Sequence, residues 1–235
     1  MAQLFAGTSG FAYPSWKPKF YPTDLPAKQF LEYYSRRLNS VEINYTFRRL
    51  PAGKTLESWI AATPPGFLFC VKAHMRITHV LRLKNAAEFT ELFLRAIDPL
   101  RATRRLGPIL FQLPPYFHCD LGVLDGFLDG LPRDLRCAFE FRHESWLADP
   151  VYRLLQRKNA ALCWAESDKF EVPTVPTANF IYFRLRKERY SPRERKSISV
   201  TAQKLLAEGK DVFLFFKHED TPEGALYAEG MLNSR

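Results

Sequence analysis

Apolar positions along the chain follow two alternating patterns. Eight short runs rich in aromatic and branched residues read as strands: LFAGT from Leu4, SVEIN from Ser40, FLFCVK from Phe67, PILFQL from Pro108, CAFEF from Cys137, AALCWA from Ala160, FIYFRL from Phe180 and VFLFFK from Val212. Between most of them apolar residues recur every three or four positions, which predicts helices over 27–38, 53–62, 86–97, 121–130, 145–157, 192–208 and 222–232. In the first, Phe30, Leu31, Tyr34 and Leu38 form a stripe, Lys28, Glu32, Arg36 and Arg37 fall elsewhere, and Asn39 can end the helix. The segment ESDKFEVPTVPTAN between the sixth and seventh strands carries two prolines and little helical periodicity, so it reads as a loop.

Strands that are apolar on both faces belong to parallel sheets covered by helices on both sides. Eight such units in 235 residues match an α/β fold, a (βα)8 TIM-barrel-like single domain over 1–235 that lacks a regular helix between strands six and seven. A doubly wound open sheet is the rival.

Composition supports a large core: 46% of residues are hydrophobic, with 20 Phe, 10 Tyr and 4 Trp. No apolar run approaches the roughly 18 residues of a membrane span, and the N-terminus lacks a signal-like pattern, so a soluble, cytoplasmic protein without a membrane partner is expected. The four scattered cysteines read as reduced thiols. A formal charge of +9 favours anionic partners, a small molecule or a nucleic acid, and no protein partner can be inferred.

In such a barrel the chemistry lies at the C-terminal ends of the strands. Those ends supply Thr8 and Ser9, Glu42 and Asn44, Lys72 and His74, Gln112, Glu140 with Arg142 and His143, Glu166 and Asp168, Arg184 and Arg186, and Lys217 with His218. Side chains two apart share a face, so Glu42 and Asn44, Glu140 and Arg142, and Arg184 and Arg186 converge if they point inward. Arg184, Arg186, Arg142, Lys72 and Lys217 then outnumber the carboxylates, and arginine can grip a phosphate or carboxylate with two donors. Thr8 and Ser9 in GTSG add further donors. Glu42 and Glu140, with His143 beside them, are the candidate proton carriers; the alternative is that the glutamates neutralise Lys72, Arg142 or Arg184 in a buried network. Five histidines stand without metal-ligand spacing, so no metal ligands are assigned: a divalent metal stays open without being favoured, and no cofactor is identified. The run FAYPSWKPKFYP interleaves aromatics with lysines, as a strand-binding surface would, although a small satellite core is favoured.

GTSGFAYPSW, FYP, VEINYTF, TPPGFLFCVKA with ITH, GPILFQLPPYF, EFRHESW and YFRL, in this order along nearly the whole chain, resemble the YecE-like proteins, a family classed as domain of unknown function 72. The resemblance implies a TIM-barrel-like fold without established activity. Its shape likeness to the endonuclease IV class implies DNA or another phosphodiester as a candidate ligand. Carried over by position, its characteristic polar groups are Thr8, Ser9, Glu42, Asn44, Lys72, Gln112, Glu140, Arg142 and His143. The chain departs from the pattern at Phe11, Tyr45, the Arg186-Lys187 pair and Lys217-His218, which make its C-terminal side more basic.

Three readings follow. The first is an enzyme, a hydrolase or isomerase, acting on a phosphorylated small molecule. The second is a nucleic-acid-binding or phosphodiester-processing protein. The third is a binding module without catalysis.

Overall fold

A computed structural model of the protein describes residues 1–217 and 221–233. The strands are β1 Leu4–Thr8, β2 Ser40–Ile43, β3 Leu68–Lys72, β4 Leu106–Gln112, β5 Cys137–Glu140, β6 Ala161–Ala165, β7 Phe180–Leu185 and β8 Asp211–Phe216. They alternate with α1 Phe30–Arg37, α2 Gly53–Ala61, α3 Ala87–Ala102, α4 Leu121–Asp129, α5 Asp149–Arg157, α6 Pro192–Ala207 and α7 Glu223–Asn233. All strand pairs are parallel, in the order β1-β8-β7-β6-β5-β4-β3-β2. The crossover from β6 to β7 contains no helix, as the prolines at 173 and 176 predict.

Two helices differ most from their expected limits. The helix expected over 86–97 continues to Ala102, with Pro99 inside its last turns. The one expected over 145–157 divides into a single 3-10 turn at Glu144–Trp146 and α5, because the Trp146 indole donates to the Phe117 carbonyl at 2.7 Å and Pro150 starts a new helix.

The closure between β1 and β2 is held largely by side chains. Only Ser9 and Glu42 form a bridge there, with the Gly10 amide donating to the Glu42 carbonyl at 2.8 Å. Below it the strands part. The Tyr34 hydroxyl accepts from the Thr8 amide at 2.9 Å and donates to the Ser40 carbonyl at 3.0 Å. The Asn39 amide accepts from the Ala6 amide at 2.9 Å and donates to the Leu4 carbonyl at 2.8 Å. These contacts satisfy backbone groups that the missing ladder would leave orphaned. Gly7 is required beside them, because a Cβ there would lie 1.9 Å from the Ser40 carbonyl oxygen.

Two apolar layers surround the sheet. The barrel interior sets large rings on β1, β7 and β8 (Phe5, Phe180, Tyr182, Phe213, Phe215) against small residues on β5 and β6 (Ala138, Ala161, Cys163, Ala165), so that large and small side chains share the space. The outer layer lies between strands and helices. It takes in Trp16, Phe20 and Tyr21 of the aromatic first loop, all buried, with the Tyr21 and Phe30 rings stacked at 4.2 Å. The satellite core favoured for that loop is what forms.

Candidate functional site

The interior packing sets the parity of every strand. Phe5, Cys70, Leu110, Ala138, Cys163, Tyr182 and Phe215 point inward, so two residues further on Gly7, Lys72, Gln112, Glu140, Ala165, Arg184 and Lys217 also face the axis. The C-terminal mouth is therefore a polar layer capping an apolar barrel.

Arg184 is its centre, at only 2% exposure. Its Nε donates to Glu42 Oε2 at 2.9 Å and its Nη2 to Glu42 Oε1 at 2.7 Å, while Nη1 reaches Glu140 Oε2 at 2.5 Å. A longer contact of 3.5 Å joins Nη1 to Gln112 Oε1. Glu42 also accepts from the Ser9 hydroxyl at 2.7 Å and the Tyr182 hydroxyl at 2.9 Å. Glu140 Oε1 receives Arg186 Nη2 at 2.8 Å and pairs with Arg142 Nε. One arginine thus bridges two buried carboxylates, and the second carboxylate holds two more arginines at the rim.

The electrostatics follow from this pairing. Burial alone would raise the Glu42 carboxyl, but the Arg184 charge and the hydrogen bonds it accepts override that and lower it. For Glu140 burial is likewise outweighed, by Arg184, Arg186 and Arg142, and its carboxyl is held at about 2. Both are fixed anions near neutral pH. That geometry matches the buried network weighed as the alternative to proton transfer. Lys72 goes the other way: burial and then the Arg184 charge bring its ammonium down to about 8, and its Nζ lies 4.0 Å from the centre of the Phe47 ring.

The remaining candidates divide. Thr8 points outward: its hydroxyl donates to the Gly10 carbonyl at 2.6 Å and its methyl lies on the side of α7. His143 is also turned from the cluster. Its Nδ1 accepts from the Ser145 amide at 3.2 Å, capping the turn at 144–146, and its ring lies tilted against that of His118, 3.9 Å between centres. Asn44 stands beyond β2 with its amide oxygen buried and unpartnered, while its carbonyl accepts from the Phe47 amide at 3.0 Å. Lys217 follows β8, its amide donating to the Leu185 carbonyl at 2.8 Å, and His218 lies outside the described residues. Among the described residues no three His, Cys, Asp or Glu side chains gather as a metal-holding group.

Sequence reasoning passed over Tyr182 and named Glu166 only as a strand end, without a role. Tyr182 stands two residues before Arg184, so the same period-two argument reaches it. The Glu166 carboxylate accepts from the Arg186 amide at 2.5 Å, from the Lys187 amide at 3.1 Å and from the Tyr190 hydroxyl, fixing the turn that carries Arg186. Long-range partners of this kind leave no periodic signal.

Next to the layer opens a cavity of about 1050 Å3, reaching from Gln112, Arg142 and Arg186 to Trp164 and Phe183 beneath the 166–174 segment. It exists because no helix covers β6 and β7 there. Arg142 and Arg186 stand on one side and Trp164 and Phe183 on the other, and the 166–174 segment adds Glu166, Asp168 and Glu171 together with Lys169.

Comparison with known proteins places the chain. Residues 5–235 match the family described as protein of unknown function DUF72. The UPF0759 protein YunF of Bacillus subtilis is 25% identical over 90% of this chain and 88% of its own length. The UPF0759 protein YecE of Escherichia coli is 33% identical over 57% of this chain and 48% of its own length. A crystal structure of a DUF72 family protein from Thermotoga maritima superposes with a TM-score of 0.85 at 28% identity, covering 98% of both chains. With the family match running over residues 5–235 and the same fold in its solved relative, the chain belongs to the DUF72 family, the YecE-like proteins.

Proposed function

We propose that the C-terminal mouth binds a small anionic metabolite, a phosphorylated compound foremost, and that the protein is an enzyme acting on it. One observation carries this reading: in the inward-facing layer four cations, Lys72, Arg142, Arg184 and Arg186, stand against Glu42 and Glu140, and the cavity beside Arg142 and Arg186, whose further lining sets Lys169 and Lys187 against Glu166, Asp168 and Glu171, does not reverse that balance. Two carboxylates suffice to hold three arginines in place, yet they leave the layer with excess positive charge, which an anion would balance. Arg184 is committed to Glu42 and Glu140, so the grip falls to Arg142 and Arg186, whose guanidinium groups Glu140 orients. Glu42 and Glu140 serve as fixed anions that aim the arginines. The apolar wall at Trp164 and Phe183 suits a ligand with an uncharged body behind its anionic group.

Nucleic-acid binding has less support, since Trp16, Phe20 and Tyr21 are occupied in the core and offer no faces for bases. The test is the melting temperature with inorganic phosphate, phosphorylated sugars, nucleotides and short DNA or RNA at low and moderate salt. A rise with one small phosphate compound, lost in Arg142→Ala, is the expected result. A rise with oligonucleotides alone, fading with salt, would transfer the function to nucleic acid. No rise with any of them would reduce the layer to a structural network.

A further inference from the structure

We infer that Lys72 is the nucleophilic amine of this site, forming an imine with the carbonyl carbon of a substrate whose anionic group Arg142 holds. The inference rests on the anion-binding reading and narrows its substrate class to anionic aldehydes and ketones.

Position is the first argument. Lys72 is the last residue of β3 and shares the inward face with Cys70, so its side chain rises into the polar layer where reacting groups of this architecture stand. Its partners are the second. Two buried carboxylates lie in the same layer, and a lysine present only to balance charge would sit on one of them. Instead Glu42 is filled by Ser9, Tyr182 and Arg184, and Glu140 by three arginines. Among the described residues no carboxylate lies within ion-pair distance of Lys72 Nζ, which rests against the Phe47 ring at 4.0 Å. The ring fixes where the amine stands without neutralising it.

The third argument is the charge around it. Partial burial disfavours the ammonium, and the Arg184 and Arg142 charges disfavour it further, against the opposing pull of Glu42 and Glu140. With the group at about 8, roughly a quarter of the amine is neutral at pH 7.5, against roughly 0.1% for an ordinary lysine. Desolvation and neighbouring cations are the two means by which a lysine becomes a nucleophile towards carbonyls.

The step balances without a further reactant. The ammonium loses one proton to solvent and its nitrogen adds to the carbonyl carbon, giving a carbinolamine. The carbonyl oxygen then departs as water, taking up the shed proton and one more from nitrogen, and the iminium keeps the third. An iminium withdraws electrons from its neighbouring carbon, so carbon–hydrogen or carbon–carbon cleavage beside the original carbonyl becomes accessible.

Reductive trapping tests it. The full-length protein is treated with pyridoxal 5′-phosphate or with pyridoxal, each with cyanoborohydride, whose hydride turns an imine into a stable secondary amine, and the modified lysines are mapped by mass spectrometry. Lys72 is expected to react about tenfold or more faster than exposed lysines such as Lys28 and Lys54, to saturate with the phosphorylated aldehyde, and to lose that phosphate preference in Arg142→Ala while still reacting with pyridoxal. Equal rates with the two aldehydes at Lys72 would overturn the anionic substrate class and leave the nucleophile. Modification spread over surface lysines with Lys72 no faster would overturn the nucleophile. If inorganic phosphate still raised the melting temperature through Arg142, the anion site would stand without it. Because the mapping is done on the unaltered protein, the result does not depend on a Lys72 variant folding.

Discussion

Arg184 and Glu42 meet through two parallel hydrogen bonds, 2.9 and 2.7 Å long, at 2% and 0% side-chain exposure. They come from β7 and β2, across the barrel. Desolvating such a pair costs several kcal/mol per ion, so the intact pair adds little over apolar packing of the same shape, while either charge left alone is costly.

Breaking the pair from one side leaves a buried charge alone. Glu42→Ala and Arg184→Met are each expected to lower unfolding stability by about 3–5 kcal/mol, whereas the double variant loses much less than the sum. Urea unfolding of the four proteins measures the coupling. Additive losses would mean that the two residues do not act as one unit.

Acid should loosen the same layer. Glu140 sits at about 2 against an ordinary 4.5, and Glu42 is lowered too. A depressed carboxylate contributes its stability in full above the unfolded value, and that contribution drains away as pH falls from about 4.5 towards 2. The urea midpoint is expected to drop between pH 5 and pH 3, with a shallower drop in Glu140→Gln. Parallel slopes would assign the acid sensitivity to other carboxylates.

Lys72 bears the opposite sign. Its ammonium at about 8, below an ordinary 10.5, is a penalty on the folded state that is present in full below about 8 and relieved as pH rises towards 10.5. Lys72→Met removes the charge and keeps the apolar stem, so it should stabilise the protein by about 1–3 kcal/mol at pH 7. The advantage should shrink by pH 10. A destabilised Lys72→Met would show that the amine has a structural partner, and would count against its readiness as a nucleophile.

How much of this was legible follows from the range of each interaction. The strands and most helices were readable because burial imprints periods of two and 3.6 on neighbouring residues, and LFAGT, FIYFRL and VFLFFK carry that imprint plainly. The convergence of Glu140 with Arg142 and of Arg184 with Arg186 came from the same period. Parity was applied unevenly, however: Thr8 and Ser9 are adjacent, as are Arg142 and His143, and an extended chain cannot turn both of two neighbours inward. Thr8 and His143 are the ones that face away. Which glutamate takes which arginine depends on barrel register, set by contacts 44 to 142 residues apart in sequence, and no local pattern encodes it.

The β1–β2 seam offers a test of the fold independent of the site. Gly7 lies against it, and a Cβ there would fall 1.9 Å from the Ser40 carbonyl oxygen and 2.7 Å from the Tyr34 hydroxyl, so Gly7→Ala forces two strands apart at the point where they have few ladder bonds to spare. Tyr34→Phe acts more gently: it strands the Thr8 amide and the Ser40 carbonyl, a loss of about 1–3 kcal/mol for buried groups left unmatched. Gly126 is the control, since it lies within α4 with nothing within 4 Å of an added Cβ, and Gly126→Ala should gain about 0.5–1 kcal/mol from helix propensity alone. Thermal melts should therefore rank Gly126→Ala above the parent, Tyr34→Phe below it and Gly7→Ala lowest. If Gly7→Ala melted with the parent, the seam would have to tolerate a wider opening than its hydrogen bonds allow, and the bracing assigned to Tyr34 would be wrong.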